Sequence, residues 1–242
     1  MTVAPFFDDI SRIASEIPGF TPPDQLLALG MLAMASAPLG GDVIEIGSWC
    51  GRSATVLGQA VRWSGVGRVY AIDLFPSRDD WQINPDGSHS FSVNLEHEET
   101  ADAYIDQTVW DEPFQKYIAP IYEKHYSIMD AFSATIEREG LSDIVQPYRG
   151  RVRNFVESMP ADMRVRLAFI DGDHGYEAVC RDIEAVERIL TPGGWITFDD
   201  AFSSYKGVDD AIRDRIINTE HYDCAFQISR KLFIARRKGE QS

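Results

Sequence analysis

Short apolar runs of strand length recur along the chain, and most of them close on glycine or aspartate. "DVIEIG" (42–47) reads as a buried strand ending in glycine, and "RVYAID" (68–73) as a second with an acid at its tip. "IVQPYRG" (144–150) gives a weaker third because of Pro147, "RLAFID" (166–171) a stronger fourth, and "WITFDD" (195–200) a fifth. "CAFQIS" and "RKLFIARR" can form two closing strands. Helical spacing separates these runs. Ala54, Leu57, Ala60 and Val61 share one face after the first strand. After the fourth, Tyr176, Val179, Ile183, Val186 and Leu190 fall on one face, with Arg181, Asp182, Glu184 and Arg188 away from it. "TPGG" is expected to stop that helix, and another is expected near "GVDDAIRDRIIN".

Strand–helix alternation of this kind predicts right-handed crossovers and an α/β, mostly parallel, doubly wound sheet in a single domain over 1–242. Ligands of such sheets bind outside the carboxyl ends of the strands. Gly47, Asp73, Asp171 and Asp199 therefore share one rim. Two segments fall outside the alternation. Residues 1–40 hold a helix over "PDQLLALGMLAMAS". Residues 77–130 form an insertion with Trp81, Phe91, Tyr104, Trp110, Phe114, Tyr117, Tyr122 and Tyr126, and with His89, His97 and His125. A structureless loop of this length is rare in a compact domain, so helices that cap the rim or build an interface are expected. A solvated acidic decoration is the alternative, and the many aromatics weigh against it.

The 44% hydrophobic and 25% charged composition argues for a globular chain. The net charge of −15 weighs against nucleic acid, which needs a basic stripe that is not visible here, and against an anionic membrane surface. A small substrate suits it, a cationic one mildly more. There is no apolar run of transmembrane length, and "MTVAPFFDDISR" lacks the pattern of a signal peptide. Cys50, Cys180 and Cys224 are odd in number and widely spaced, which reads as reduced thiols in a cytoplasmic protein.

"EIGSWCGRS" places Gly47 and Gly51 at the first strand-to-helix turn. The spacing is neither the dinucleotide fingerprint nor the phosphate loop, while a helix N-terminus still favours a carboxylate. Asp73 can accept hydrogen bonds from both hydroxyls of a ribose. A glycine turn plus a ribose acid, without a diphosphate site, points to a nucleoside cofactor such as S-adenosylmethionine; a strand–turn–helix with no ligand is the plain alternative.

"VIEIGSWCGRSATVL" and "RVYAIDLF" resemble the first two cofactor motifs of class I S-adenosylmethionine-dependent methyltransferases. "LAFIDGDHGYEAVCRDIEAVERILTPGGWITFDDAF" is similar to the metal-dependent small-molecule O-methyltransferases, including those acting on sugars of antibiotics. The resemblance covers roughly 40–76 and 144–236 and implies a Rossmann-like methyltransferase sheet. It implies cofactor contacts at Glu45, Gly47, Ser48, Trp49, Gly51, Ser53, Asp73, Leu74, Arg151 and Asp171. One departure is Arg151, which stands where the family often has an acid facing adenine. The insertion has no counterpart in the family.

Asp171, Asp199 and Asp200 end adjacent strands, so their carboxylates can converge. Three such groups repel, and one would be protonated unless a cation sits among them. All-oxygen ligands suit magnesium better than zinc. Helix capping by the same acids is the alternative; the family resemblance, with an acid at each position, supports metal. Magnesium would lower the pKa of an acceptor hydroxyl and hold it in line with the sulfonium methyl, while a base takes the proton. His174 and Asp173 compete for that role, with His174 preferred for its pKa and a histidine of the insertion as a third choice. The resembling families use both the acid and the histidine solution; catechol enzymes have lysine at position 174, so a catechol acceptor is disfavoured. Cys50 reads as packing, not as a nucleophile. Tyr176 reads as core-facing, and Trp49 as lining the methionine end or covering the turn.

The reading is a magnesium-dependent O-methyltransferase acting on a hydroxyl of a small molecule, such as a sugar moiety in natural-product biosynthesis. A metal-independent N- or carboxyl-methyltransferase and a non-catalytic adenosine-ligand-binding protein are the alternatives. The insertion and the N-terminal helix are suited to a homo-oligomer, a dimer or larger.

Overall fold

The computed structural model describes residues 4–95, 101–103 and 109–239. The chain begins with α1 (Ala4–Glu16) and α2 (Pro23–Ala35), then β1 (Asp42–Ile46), α3 (Arg52–Ser64) and β2 (Val69–Asp73). The insertion follows as β3 (Trp81–Ile83), β4 (His89–Val93), β5 (Ala101–Ala103), α4 (Asp111–Pro113) and α5 (Ala119–Tyr122), with a π-wound turn, Phe114–Ile118, joining the last two. Next come α6 (Ile128–Arg138), β6 (Val145–Arg149), α7 (Val152–Ser158), β7 (Val165–Ile170) and α8 (Tyr176–Glu187). The chain closes with β8 (Leu190–Phe198), α9 (Lys206–Ile212), β9 (Tyr222–Gln227) and β10 (Phe233–Arg237).

Seven strands form one sheet in the order β6-β2-β1-β7-β8-β10-β9. The first five are parallel and β10 runs antiparallel to both its neighbours. Every strand predicted from the sequence is present. Alternate residues enter opposite layers, as the pleat requires. Ile44, Ile46, Ala168 and Ile170 pack with α7, α8 and α9. Val43, Leu167 and Phe169 pack with α2, α3 and α6. Burial on both faces explains why the parallel strands read as unbroken apolar runs. The order reverses between β1 and β7, where neighbouring crossovers leave on opposite sides and open a crevice.

Three features differ from the sequence expectation. Thr191–Gly194 does not end α8, which stops at Glu187; the "TPGG" residues bulge out of β8, between Leu190 opposite Val165 and Trp195 opposite Leu167. A helix, α1, precedes the expected α2 and buries Ile10, Ile13 and Ile17 at helical spacing. The insertion is only partly helical, because β3, β4 and β5 form a small antiparallel sheet. Its aromatics pack: the Trp81 ring lies 4.9 Å from Phe91 and 5.0 Å from Phe114, and its indole N–H donates to the Tyr122 hydroxyl at 2.7 Å. Among the described residues no helix is long and apolar enough to cross a membrane.

Candidate functional site

Gly47 sits where β1 and β7 meet at the crevice. Its N–H donates to the Ile72 carbonyl, and the Asp171 N–H donates to the Ile46 carbonyl, at 2.9 and 2.8 Å. Gly47 has φ +88°, and a Cβ there would lie 2.0 Å from the Asp171 carbonyl oxygen. Only glycine allows both the left-handed turn and this approach. Asp73, at the tip of β2, ties the turn down: Oδ2 accepts from the Trp49 N–H at 2.9 Å and Oδ1 from the Phe75 N–H at 2.6 Å. Burial pushes the Asp73 carboxyl above its usual range, against the pull of those amides. The Ser48 and Leu74 amides add to that pull.

Glu45, one residue before the end of β1, is fully buried. Among the described residues, neither of its carboxyl oxygens, nor the Ser48 hydroxyl, has a hydrogen-bond partner. Burial, opposed by the nearby but misaligned Ser53 and Ser48 hydroxyls, pushes Glu45 up to about 7. Orphaned buried polar atoms under a glycine turn mark a place made for a ligand or water.

One cavity of about 1160 Å³ joins this turn to the acid cluster. Ser48, Trp49, Ser53, Asp73 and Leu74 line one part of it, and Gly51 starts α3 beside them. Phe20, from the α1–α2 connection, and Val109, Pro113, Tyr117 and Ile118, from the insertion, line another part. The Phe20 and Tyr117 rings meet edge to face at 6.3 Å although both are largely exposed.

The acids behind the expected metal site are unequal. Asp171 is held well above the normal carboxylate range, first by burial, then by Asp199 and Asp200. Asp199 Oδ1 accepts from Gln25 Nε2 and Oδ2 from Lys231 Nζ, both at 2.9 Å. Asp200 Oδ1 accepts from the same ammonium at 2.8 Å, and its Oδ2 lies 3.2 Å from His174 Nε2. Burial opposes the Asp200 charge, but the bonds from His174 and Lys231 prevail and hold its carboxyl low. Asp200 has φ +55°, a left-handed geometry that aspartate tolerates. The donor atoms of Asp171, His174 and Asp200 lie within 4.8 Å of one another. Of the trio expected from sequence, Asp171, Asp199 and Asp200, Asp199 is engaged by Gln25 and Lys231, while His174 lies beside the other two.

Asp173 and His174 both reach the cavity. Asp173 Oδ1 accepts from the Gly175 N–H at 2.6 Å, while the His174 ring stacks on Tyr205 at 4.1 Å. Arg151 lines the cavity near Asp182, whose carboxyl is pushed up to about 7 by burial and then by Asp173. Asp182 lies away from the apolar face of α8, as the spacing predicts, and lines the cavity. Cys50 is buried and its thiol is pushed up to about 12, mainly by burial, which agrees with packing. Tyr176 packs partly on the core and donates to Asp214.

Of the insertion histidines, His89 is buried, bonded to Asp111 at 3.0 Å and stacked on Phe114 at 3.8 Å; neither it nor His125 lines the cavity. His97 and Tyr104 lie outside the described residues. Lys231, Gln25 and Phe20 were missed. A usable signal existed for Lys231: an antiparallel last strand must start beside the end of the strand carrying Asp199.

Residues 44–201 match a family model described as a methyltransferase domain. The O-methyltransferase NovP has a similar fold, with a TM-score of 0.68 at 14% identity over 98% of this chain and 100% of that one. The O-methyltransferase TomG from Streptomyces achromogenes, solved with SAM, gives 0.56 at 12% identity over 97% and 90%. CalS11, a TDP-rhamnose 3'-O-methyltransferase of calicheamicin biosynthesis, gives 0.53 at 15% identity over 96% and 93%.

Proposed function

The chain belongs to this methyltransferase-domain family, and from that premise we propose that it moves the methyl group of S-adenosylmethionine to a hydroxyl of a small molecule. The observation that carries the reading is the single cavity joining the Asp73–Gly47 turn to the Asp171–His174–Asp200 cluster. At about 1160 Å³ it exceeds the ~300–1,000 Å³ typical of one ligand, which leaves room for cofactor and acceptor together. The buried Asp73 fits the cofactor's ribose, and Ser48, whose hydroxyl has no partner among the described residues, lines the cavity beside it; Glu45 lies beneath the turn and does not reach the lining. Ser53, Leu74, Arg151 and Asp182 complete its surroundings. TomG, solved with SAM, supports the cofactor assignment by analogy of fold.

A divalent cation fits the cluster: burial and then the Asp199 and Asp200 carboxylates raise the Asp171 carboxyl well above its usual range, and a cation offsets that opposition to its charge. When bound it supplies Lewis-acid polarisation of the acceptor hydroxyl. Magnesium is the expectation if carboxylates alone hold it. Asp173 then accepts the hydroxyl proton, since it lines the cavity with one oxygen anchored by Gly175, whereas His174 is turned onto Asp200. The walls from Phe20 and the insertion exclude water and seat the acceptor.

The fold likeness to NovP, TomG and CalS11 supports a natural-product acceptor, a sugar among the options. Three unpaired cysteines agree with a cytoplasmic setting, and a homo-oligomer through the insertion or N-terminal helices completes the proposal. A second reading is favoured by Lys231, which already offsets part of the acid charge: methyl transfer without metal. Methyl transfer from labelled cofactor to a panel of hydroxylated acceptors, with and without chelator, tests both. Chelator-sensitive O-methylation is expected. Chelator-insensitive turnover would select the metal-free alternative, and methylation only at nitrogen or carboxylate would refute the hydroxyl assignment.

A further inference from the structure

We infer that Lys231 withholds Asp199 from the metal and leaves Asp171, Asp200 and His174 as its protein ligands, so that the site selects manganese(II) or a similar first-row ion over magnesium. The inference rests on the divalent-cation reading above and sharpens it to the ion.

Both oxygens of Asp199 are occupied, one by the Gln25 amide and one by the Lys231 ammonium, and its side chain is 2% exposed. Releasing it to a metal would leave the partly buried Lys231 ammonium and the buried Gln25 amide without that partner, so both oppose the release. Lys231 also changes the charge. Three carboxylates and one ammonium leave two net negative charges, which one divalent ion balances.

The remaining trio has the spacing of ligands on one ion. With bonds of about 2.1 Å, neighbouring octahedral ligand atoms sit about 3.0 Å apart and opposite ones about 4.2 Å. His174 Nε2 and Asp200 Oδ2 at 3.2 Å match a neighbouring pair, and all three donor atoms lie within 4.8 Å. The stack on Tyr205 and the left-handed backbone at Asp200 hold two of the three in place. Magnesium prefers an all-oxygen shell, whereas manganese, cobalt and nickel accept imidazole beside carboxylate. A nitrogen donor therefore tilts the site toward the transition ions.

Calorimetric titration of the full chain with manganese chloride and magnesium chloride, paired with pulsed electron paramagnetic resonance of the manganese-loaded protein, tests the inference. Wild type should bind manganese at least about tenfold more tightly than magnesium and show nitrogen modulation from a bound imidazole. His174→Gln should lose the modulation and most of the preference. Lys231→Met should tighten magnesium binding roughly tenfold or more, because Asp199 rejoins the shell with an added negative charge. If Lys231→Met does not fold, as judged by circular dichroism, Asp199→Asn decides: manganese affinity should stay within about threefold of wild type, a shift of only ~0.7 kcal/mol. Bound manganese without nitrogen modulation, or a loss of roughly tenfold in Asp199→Asn, overturns the inference while leaving the divalent reading intact. Failure of both ions to bind wild type would instead overturn the divalent reading itself.

Discussion

Replacing Glu45 by glutamine isolates the cost of the buried carboxyl under the cofactor turn. Glu45 has no solvent exposure and, among the described residues, no hydrogen-bond partner for either oxygen, and burial moves its pKa from 4.5 to about 7. The folded state therefore holds a proton that the unfolded chain releases between those values. The sign follows from linkage: an acid raised on folding loses stability as pH climbs through that window. At ~1.36 kcal/mol per pK unit, raising the pH from 5 to 8 costs the unliganded wild type about 2–3 kcal/mol through this group alone. Glutamine removes the charge and leaves an amide as poorly partnered as the neutral acid, a penalty nearly independent of pH. Urea unfolding of both proteins without ligand at pH 5 and 8 gives the comparison. The stability difference, variant minus wild type, should rise by about 2–3 kcal/mol between the two pH values. A difference that stays flat, or that falls, would show that Glu45 is charged in the fold and would refute the reasoning.

Gly47→Ala should abolish cofactor binding and lower the melting temperature, because its Cβ would meet the Asp171 carbonyl at 2.0 Å in a left-handed backbone already costing about 1–2 kcal/mol; normal binding by calorimetry would contradict the turn geometry. Asp173→Asn keeps an acceptor for the Gly175 N–H, so it should fold and bind manganese normally while turnover falls by about 100-fold. Near-normal rates would return the base to another group. Phe20→Ala or Tyr117→Ala should raise the acceptor KM several-fold, in line with an aromatic contact of about 1 kcal/mol, and leave the cofactor KM alone; steady-state kinetics in both substrates separates the two effects.

The central sheet was legible because its parallel strands are buried on both faces, so "VIEI" and "LAFI" stand out as unbroken apolar runs. The small sheet of the insertion was not: Trp81–Ile83 is three residues long, and in "HSFSV" the buried His89 and Ser90 mask the alternation. Gly47, Asp73 and the strand-end acids were readable since the rim rule needs only strand ends. The division of labour among those acids was not. It depends on Lys231 arriving from the antiparallel return of β10 and on Gln25 reaching down from α2, contacts across 32 and 174 residues of chain. The role of Asp182 was hidden for a related reason, since helical periodicity separates core from non-core faces but does not tell solvent from cavity.

The account's central claim is that one cavity seats S-adenosylmethionine at the Gly47–Asp73 turn, beside the acid cluster. Calorimetric titration of the purified chain with S-adenosylhomocysteine, followed by the same titration of Asp73→Ala, tests it most directly. The account predicts one equivalent bound per chain, weakened roughly 10- to 100-fold by the substitution, as the loss of charge-assisted hydrogen bonds worth about 1.5–3 kcal/mol requires. No binding to wild type at about 1 mM ligand, or equal binding by the two proteins, would contradict it.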